Sequence, residues 1–482
     1  TVTATNSGGS KSFTLSITVN DVPPMNLAYS KNPALYTKDQ PIIPDIPSST
    51  GGLVVSYSIN TALPLGLSFD TSTGVIDGTP TVRMDTNIYT VTATNSGGSA
   101  SVNLSIKVQE CFLFICSEKI VEPASVRPGG SRAAITAGGG HSCALVDGHA
   151  WCWGDQSPGG SGNGSVPEGA VPVRISGLAS NLQSIAAGPS YACAIDGDGV
   201  ACWGENTHGQ LGNGSTLSSR VPVPVPSLSS RVQAIAAGTA HACAIDGDGV
   251  ACWGENTYGQ LGNGSTLSSR VPVLVPSLSS RIQDIAAGGA HTCAVAGDGV
   301  VCWGENTHGQ LGNDSTINSR VPVKVAGSFS GVQAIAAGAA HTCAIVNGSV
   351  QCWGDNLRGQ LGDGSTIESH APIQVTGLTS GVHAIAAGAA HTCAIVKESV
   401  QCWGDNKHGQ LGNGSTLSSP VPVPVAGLSS GVLAIAAGAT HTCVFASDGI
   451  QCWGEDLHGQ LGDGSAADRL VPVSVRLTGT DE

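Results

Sequence analysis

A block of fifty residues recurs seven times along this chain without insertion or deletion, and no other feature constrains the fold as strongly. Its cysteines mark the period: Cys143/Cys152, Cys193/Cys202, Cys243/Cys252, Cys293/Cys302, Cys343/Cys352, Cys393/Cys402 and Cys443/Cys452. In the fifth copy they lie within Ala340-His341-Thr342-Cys343-Ala344-Ile345-Val346-Asn347-Gly348-Ser349-Val350-Gln351-Cys352-Trp353-Gly354. A fixed period of this length is the signature of a solenoid, a propeller or a linear array.

Each copy carries four strand signals. In the fifth they are Ala334 to Ala337, Thr342 to Val346, Ser349 to Trp353 and Pro372 to Val375, and the one long connection carries Gly359-Gln360-Leu361-Gly362. Four antiparallel strands repeated seven times predict a seven-bladed β-propeller over 132–482. A linear solenoid is the competitor, but equal repeats without polar caps favour a closed ring. The Ala-Ile-Ala-Ala segment is expected innermost, where the axis is crowded.

Residues 1–131 read differently. Thr1-Val2-Thr3-Ala4-Thr5-Asn6-Ser7-Gly8-Gly9-Ser10 returns almost verbatim at Thr90 to Ser99, each copy followed by an alternating strand. Both read as β-hairpins around an Asn-Ser-Gly-Gly turn. Residues 1–20 are expected to be the tail of a preceding Ig-like domain, which makes the chain a fragment or a processed product. Residues 21–110 form a complete domain the size of an Ig-like β-sandwich. The fold class is all-β, a propeller with an N-terminal Ig-like β-sandwich domain. Leu63-Pro64-Leu65-Gly66-Leu67-Ser68-Phe69-Asp70 and the following Thr73-Gly74-Val75-Ile76-Asp77-Gly78-Thr79-Pro80 resemble the signature of a bacterial Ig-like family related to cadherin-like modules. Such modules can bind calcium at domain junctions, but Asp70 and Asp77 are isolated and read as turn formers. In the linker 111–131, Cys111 and Cys116 are expected to close a small disulfide loop, an exposed docking site being the alternative.

Charge excludes some functions. Asp and Glu outnumber Lys and Arg by 34 to 20, leaving −14 at neutral pH. Nucleic-acid affinity rests largely on Lys and Arg against phosphate, so a nucleic-acid partner is not expected, nor is an anionic membrane surface. No apolar run is long enough for a transmembrane helix. Sixteen cysteines in regular pairs imply an oxidising, extracellular compartment.

Hairpin arithmetic pairs the cysteines. Cys343 and Cys352 are symmetric about Asn347-Gly348, a type I′ turn dipeptide. They therefore face each other as a non-hydrogen-bonded pair, close enough for a disulfide. Zinc is the rival, but needs four converging ligands that separate blades do not supply. A histidine opens the second strand in six copies, His141, His241, His291, His341, His391 and His441, with Tyr191 in the other. Sheets about 10 Å apart keep these imidazoles from sharing one ion, so each is expected to bond backbone in its own blade's long loop. The tryptophans, such as Trp353, are expected to pack between blades, with sugar stacking as the alternative. The Asn-Gly-Ser sequons, such as Asn213, matter only in a eukaryotic secretory pathway.

Ala336-Ala337-Gly338-Ala339-Ala340-His341-Thr342, Trp353-Gly354 and Gly359-Gln360-Leu361-Gly362, recurring through 132–476, resemble regulator of chromosome condensation repeats. The resemblance implies a seven-bladed propeller and leaves open a guanine-nucleotide-exchange-like regulator. A closer functional analogue is a secreted bacterial propeller that inhibits β-lactamases by covering them with one face. No nucleophile–base–orienter set is visible, so no enzyme and no cofactor are expected. The copies differ where recognition sits on rigid scaffolds, in the long loop: His208, Tyr258, His308, Arg358, Lys407, His408 and His458 are the candidate binding residues. The first copy has Gln156-Ser157-Pro158-Gly159 there instead. The expected partner is a protein or a glycan on a surface, bound by an exported bacterial scaffold.

Overall fold

Asn347 and Gly348 have φ of 51° and 75°, the left-handed pair that a type I′ turn requires. That turn joins the second and third strands of the fifth blade, and the same registration recurs in every copy. The four strands of this blade are Val332–Ala337, His341–Val346, Ser349–Gly354 and Ser369–Gln374. They pair in sequence order, antiparallel throughout, and all seven repeats form such a sheet. The computed structural model describes residues 1–14, 21–29, 31–32, 34–37, 42, 44–82, 84–109, 134–155, 162–164, 169–178, 182–197, 199–229, 231–247, 249–278, 282–297, 299–327 and 329–477.

The sheets stand around a common axis with the Ala-Ile-Ala-Ala strands innermost. Six of the seven inner strands end in a glycine corner that donates to the next blade, as Gly289 N to Gly338 O at 3.1 Å and Ala389 N to Ala439 O at 3.3 Å, while Pro189 of the second has no N–H to donate. The ring closes in the same manner, since Ala439 N of the seventh blade donates to Gly138 O of the first at 2.9 Å. Each blade takes all its strands from one repeat, so no strand is exchanged to close the ring. This rules out the linear solenoid. Side chains at the corner must be absent: a Cβ on Gly338 would lie 2.2 Å from His341 Cε1 and 2.5 Å from Gly388 O.

Seven disulfides brace the hairpins, one in each blade, and they join the cysteines that the hairpin register pairs. They are Cys143–Cys152, Cys193–Cys202, Cys243–Cys252, Cys293–Cys302, Cys343–Cys352, Cys393–Cys402 and Cys443–Cys452. Their Cα atoms stand 4.0–4.1 Å apart, as the non-hydrogen-bonded register demands. The expected eighth pair, Cys111 and Cys116, lies outside the described residues. Each disulfide forms part of the interblade core. Cys343, Cys352, Ile345, Val350 and Leu361 of the fifth blade pack against Ala394 and Trp403 of the sixth. All seven such tryptophans are fully buried, which removes the sugar-stacking alternative for them.

The chain divides into two units, Thr1–Cys116 and Ser117–Glu482. In the first, β1 (Val2–Asn6) and β2 (Gly9–Phe13) form a two-stranded hairpin whose residues are all exposed. The next strands are β3 (Pro24–Tyr29), β4 (Ala34–Thr37), β5 (Pro47–Gly51), β6 (Ser56–Ile59), β7 (Leu67–Phe69), β8 (Ile76–Gly78), β9 (Met84–Asn95) and β10 (Gly98–Gln109). A four-stranded sheet runs β4-β10-β9-β6, and β3-β5 and β7-β8 are separate pairs. Tyr29, Tyr36, Ile76, Tyr89, Val91, Leu104 and Ile106 fill the core between them. Asp70 accepts from Ser72 N at 2.7 Å and Thr73 N at 3.1 Å, so it closes its turn as expected.

Candidate binding face

The long loop leaves each blade beside the glycine corner, where Asp355 N donates to Ala340 O at 2.9 Å. One face of the ring is therefore built from corners and long loops together. Its foundation is a set of buried polar bonds that tie each blade to the next.

The histidines supply part of it. His341 Nε2 lies 2.9 Å from Thr392 Oγ1 of the following blade, and that hydroxyl donates to Gln360 O at 3.0 Å. The same bond joins His241 to Thr292, His291 to Thr342, His391 to Thr442 and, across the closure, His441 to Ser142. Because the hydroxyl proton is used on the glutamine carbonyl, the imidazole carries its own proton on Nε2 and is neutral. Burial agrees, holding His291, His391 and His441 down to about 3 and His141, His241 and His341 to about 4. The expected bond within the histidine's own blade is thus replaced by one between blades. The second blade departs from the pattern: Tyr191 replaces His and its hydroxyl donates to His241 O. The position after it is Ala192, and His141 Nε2 has no partner.

The same glutamine carbonyls accept Trp Nε1 of the next blade, as from Trp353 to Gln310 O and from Trp403 to Gln360 O, both at 2.9 Å. Sequence reasoning missed the residue that organises the loop, the fully buried Asn356. Its Nδ2 reaches Ser365 O at 3.2 Å and Ile367 O at 3.0 Å, and its Oδ1 accepts Leu361 N at 2.9 Å. Asn206, Asn256, Asn306 and Asn406 repeat this role. The available signal was an Asn two residues after every Trp-Gly except in the first and last copies. In the last, Asp456 takes the place, and burial raises its carboxyl to about 6.

With the repeated groups consumed inside, the variable positions remain at the surface. His208, Tyr258, Arg358 and Lys407 are exposed and His308, His408 and His458 half-buried. Several reach toward the next blade. His308 Nδ1 lies 3.1 Å from Glu368, which His370 meets from the other side at 3.2 Å. His408 Nδ1 lies 2.9 Å from Asp468, and Arg358 sits 4.0 Å from Asp405. The structure thus places the candidates in consecutive blades of one face, as a ring and not as a single cluster. Gln156 to Gly159 of the first blade lie outside the described residues. A recess of about 370 Å³ by His149 and Arg174 lies beneath the hairpin tip of the first blade and not on this face.

A closed ring of seven four-stranded blades defines the class, a seven-bladed β-propeller. Residues 104–444 match the family model of the RCC1-like domain, and residues 24–109 that of the Putative Ig domain. The chain belongs to the RCC1-like domain family. Among solved structures it is similar to human WBSCR16, at 24% identity and a TM-score of 0.61, over 69% of this chain and 95% of that one. The titin M3 domain aligns with 18% of the chain at 18% identity and a TM-score of 0.14, covering 98% of its own length. A search of the curated proteins found no match. An RCC1-like propeller fits a protein-binding scaffold, and its seven disulfides fit an extracellular protein.

Proposed function

We propose that this chain is an exported binding scaffold whose propeller recognises a protein through the corner-and-loop face, in adhesion or inhibition, on a bacterial surface or secreted from it. One observation carries the reading. The repeated histidines, tryptophans and loop asparagines are buried and bonded between blades, while the positions before Gly-Gln-Leu-Gly, which differ between copies, stand at the surface. A broad, rigid surface suits a protein more than a small molecule, and the distributed ring argues for binding and against catalysis.

The test is crosslinking capture from surface proteins of the native source, comparing the wild type with a triple Arg358→Ala, Lys407→Ala, His408→Ala variant. A specific protein captured by the first is expected, and lost either from the second or from a Tyr258→Ala, His308→Ala variant of blades three and four. Equal capture by all three sinks the loop-face reading. A glycan ligand is the second reading, favoured only by Tyr258, an aromatic 38% exposed on this face. Glycan-array binding that vanishes in Tyr258→Ala would favour it.

A further inference from the structure

Five consecutive blades each hold one aliphatic side chain out into solvent at the same place in the long loop. These are Leu217, Leu267, Ile317, Ile367 and Leu417, and all are 74–78% exposed. Isolated exposed leucines need no explanation, but this set is neither isolated nor loosely held. Each backbone N–H donates to a serine Oγ two residues earlier at 3.0–3.2 Å. Each carbonyl accepts from the buried loop asparagine at 3.0–3.1 Å. The main chain is satisfied internally, so the side chain is presented on a rigid mount. The turn does not need it. In the seventh blade Ala467 stands at this position and still donates to Ser465 Oγ, at 3.4 Å.

The second observation is charge. Arg220, Arg270 and Arg320 are the second residues of the outer strands of the second, third and fourth blades and are exposed. Each is seated against the preceding blade's loop, because Gly164, Gly214 and Gly264 donate to the carbonyls of Arg220, Arg270 and Arg320 at 2.8–2.9 Å. The aliphatic stem of Arg270 crosses Gly209, beside His208, and that of Arg320 crosses Gly259, beside Tyr258. None of the three guanidinium groups has an ion pair or hydrogen bond among the described residues. The rim of blades two to four therefore carries an aliphatic and a free cationic group close together along each blade's chain, with one exposed carboxylate, Asp314, on the loop of the fourth, in a chain of net charge −14.

We infer that this arc is the docking site for an acidic amphipathic segment of a protein partner, with aliphatic side chains meeting Leu217, Leu267 and Ile317 and carboxylates meeting the three arginines. The inference rests on the loop-face reading and sharpens it to one sector and one partner chemistry. Arginine is among the residue types that carry interface energy, the aliphatics beside it add apolar area to be buried, and a rigid main chain lowers the ordering cost of binding. An anionic bilayer is a poorer fit, because Asp363, Glu368 and Asp468 stand on the long loops of blades five and seven.

The test pans a random-sequence peptide phage library on the whole chain and measures the enriched peptides on two double variants, Leu267→Ser with Ile317→Ser and Arg270→Ala with Arg320→Ala. Enriched peptides should pair Asp or Glu with Leu, Ile or Phe, lose at least tenfold in affinity to either variant, and weaken as salt rises. Unchanged circular dichroism of both variants shows that the ring is intact. No enrichment, enriched peptides without carboxylates, or binding indifferent to both variants overturns the inference. So does self-association of the chain, or binding to phosphatidylserine vesicles, that accounts for the sensitivity to these residues. Peptides lost from the Arg358→Ala, Lys407→Ala, His408→Ala variant but retained by both arc variants would overturn the arc while leaving the loop-face reading standing.

Discussion

His341 Nε2 and Thr392 Oγ1 meet at 2.9 Å, fully buried, across the boundary between two blades. The bond is one unit of a relay that crosses five of the seven blade boundaries, and its loss is measurable. Thr392→Val preserves shape but leaves the imidazole N–H unpaired, at a cost of about 1–3 kcal/mol. Conversely, Ala192→Ser offers His141 Nε2 the partner it lacks and should stabilise by about 1 kcal/mol. Guanidinium melts of the two variants against the wild type check both signs.

Acid should act on the same histidines. His141, His241, His291, His341, His391 and His441 are buried and neutral, each held at about 3 to 4. Their folded values lie below the unfolded one, so the stability they represent is intact above about 6.5 and is lost as pH falls toward 4. Each group contributes a slope of about 1.4 kcal/mol per pH unit in that window. Melting followed from pH 7 to pH 4.5 should show a steep fall, with several protons taken up per molecule unfolded. A flat profile would mean that the imidazoles are solvated or charged in the native state.

Asp456 runs the other way. Burial raises its carboxyl to about 6, so the protonated form suits the fold, and its contribution is lost as pH rises through that value. Asp456→Asn restores the two-donor amide used in blades two to six. The variant should melt higher than the wild type at pH 7.5, by an amount that shrinks at pH 4.5. Equal melting temperatures at both values would refute the assignment.

The sixth hairpin tip carries a defect. Lys397 and Glu398 sit at φ 49° and 75°, where the fifth blade has Asn-Gly. A non-glycine residue in the left-handed region costs about 1 kcal/mol, so replacing the pair, Lys397→Asn with Glu398→Gly, should stabilise by about 1–2 kcal/mol in chemical denaturation.

The disulfides close short loops, and each should contribute about 2–3 kcal/mol by restricting the unfolded chain. Their sulfurs are buried, with every such cysteine at 0% exposure. Thiol titration should therefore find them resistant to reductant in native buffer and rapidly reduced in denaturant. Cys343→Ser with Cys352→Ser should shift the denaturation midpoint without opening the ring.

Much of the blade was legible in the residues alone. The offset between Cys343 and Cys352 about Asn347-Gly348 fixes strand register, because side chains alternate and a turn type sets the pairing. The same offset pairs Cys193 with Cys202, Cys243 with Cys252, Cys293 with Cys302 and Cys393 with Cys402, although their turn residues differ. Trp353 was placed between blades from the same alternation. The partner of His341 was not legible, because it lies on a different repeat. Sequence shows what each copy contains but not which neighbour a side chain meets. Asn356 was passed over for a related reason. A polar residue in a loop reads as exposed until the loop is seen to fold around it.

By itself, the sequence determined the period, the four strands of a blade, the hairpin register and the disulfides, since all of these depend on contacts close along the chain. Only the tertiary structure decided the relay from His to Thr to the glutamine carbonyl, the closure through Gly138 and Ala439, and the outward rim of Leu217, Leu267 and Ile317 between free arginines. Those features arise where different repeats meet. A side chain's burial and partners there depend on the ring's geometry, which a local pattern does not encode.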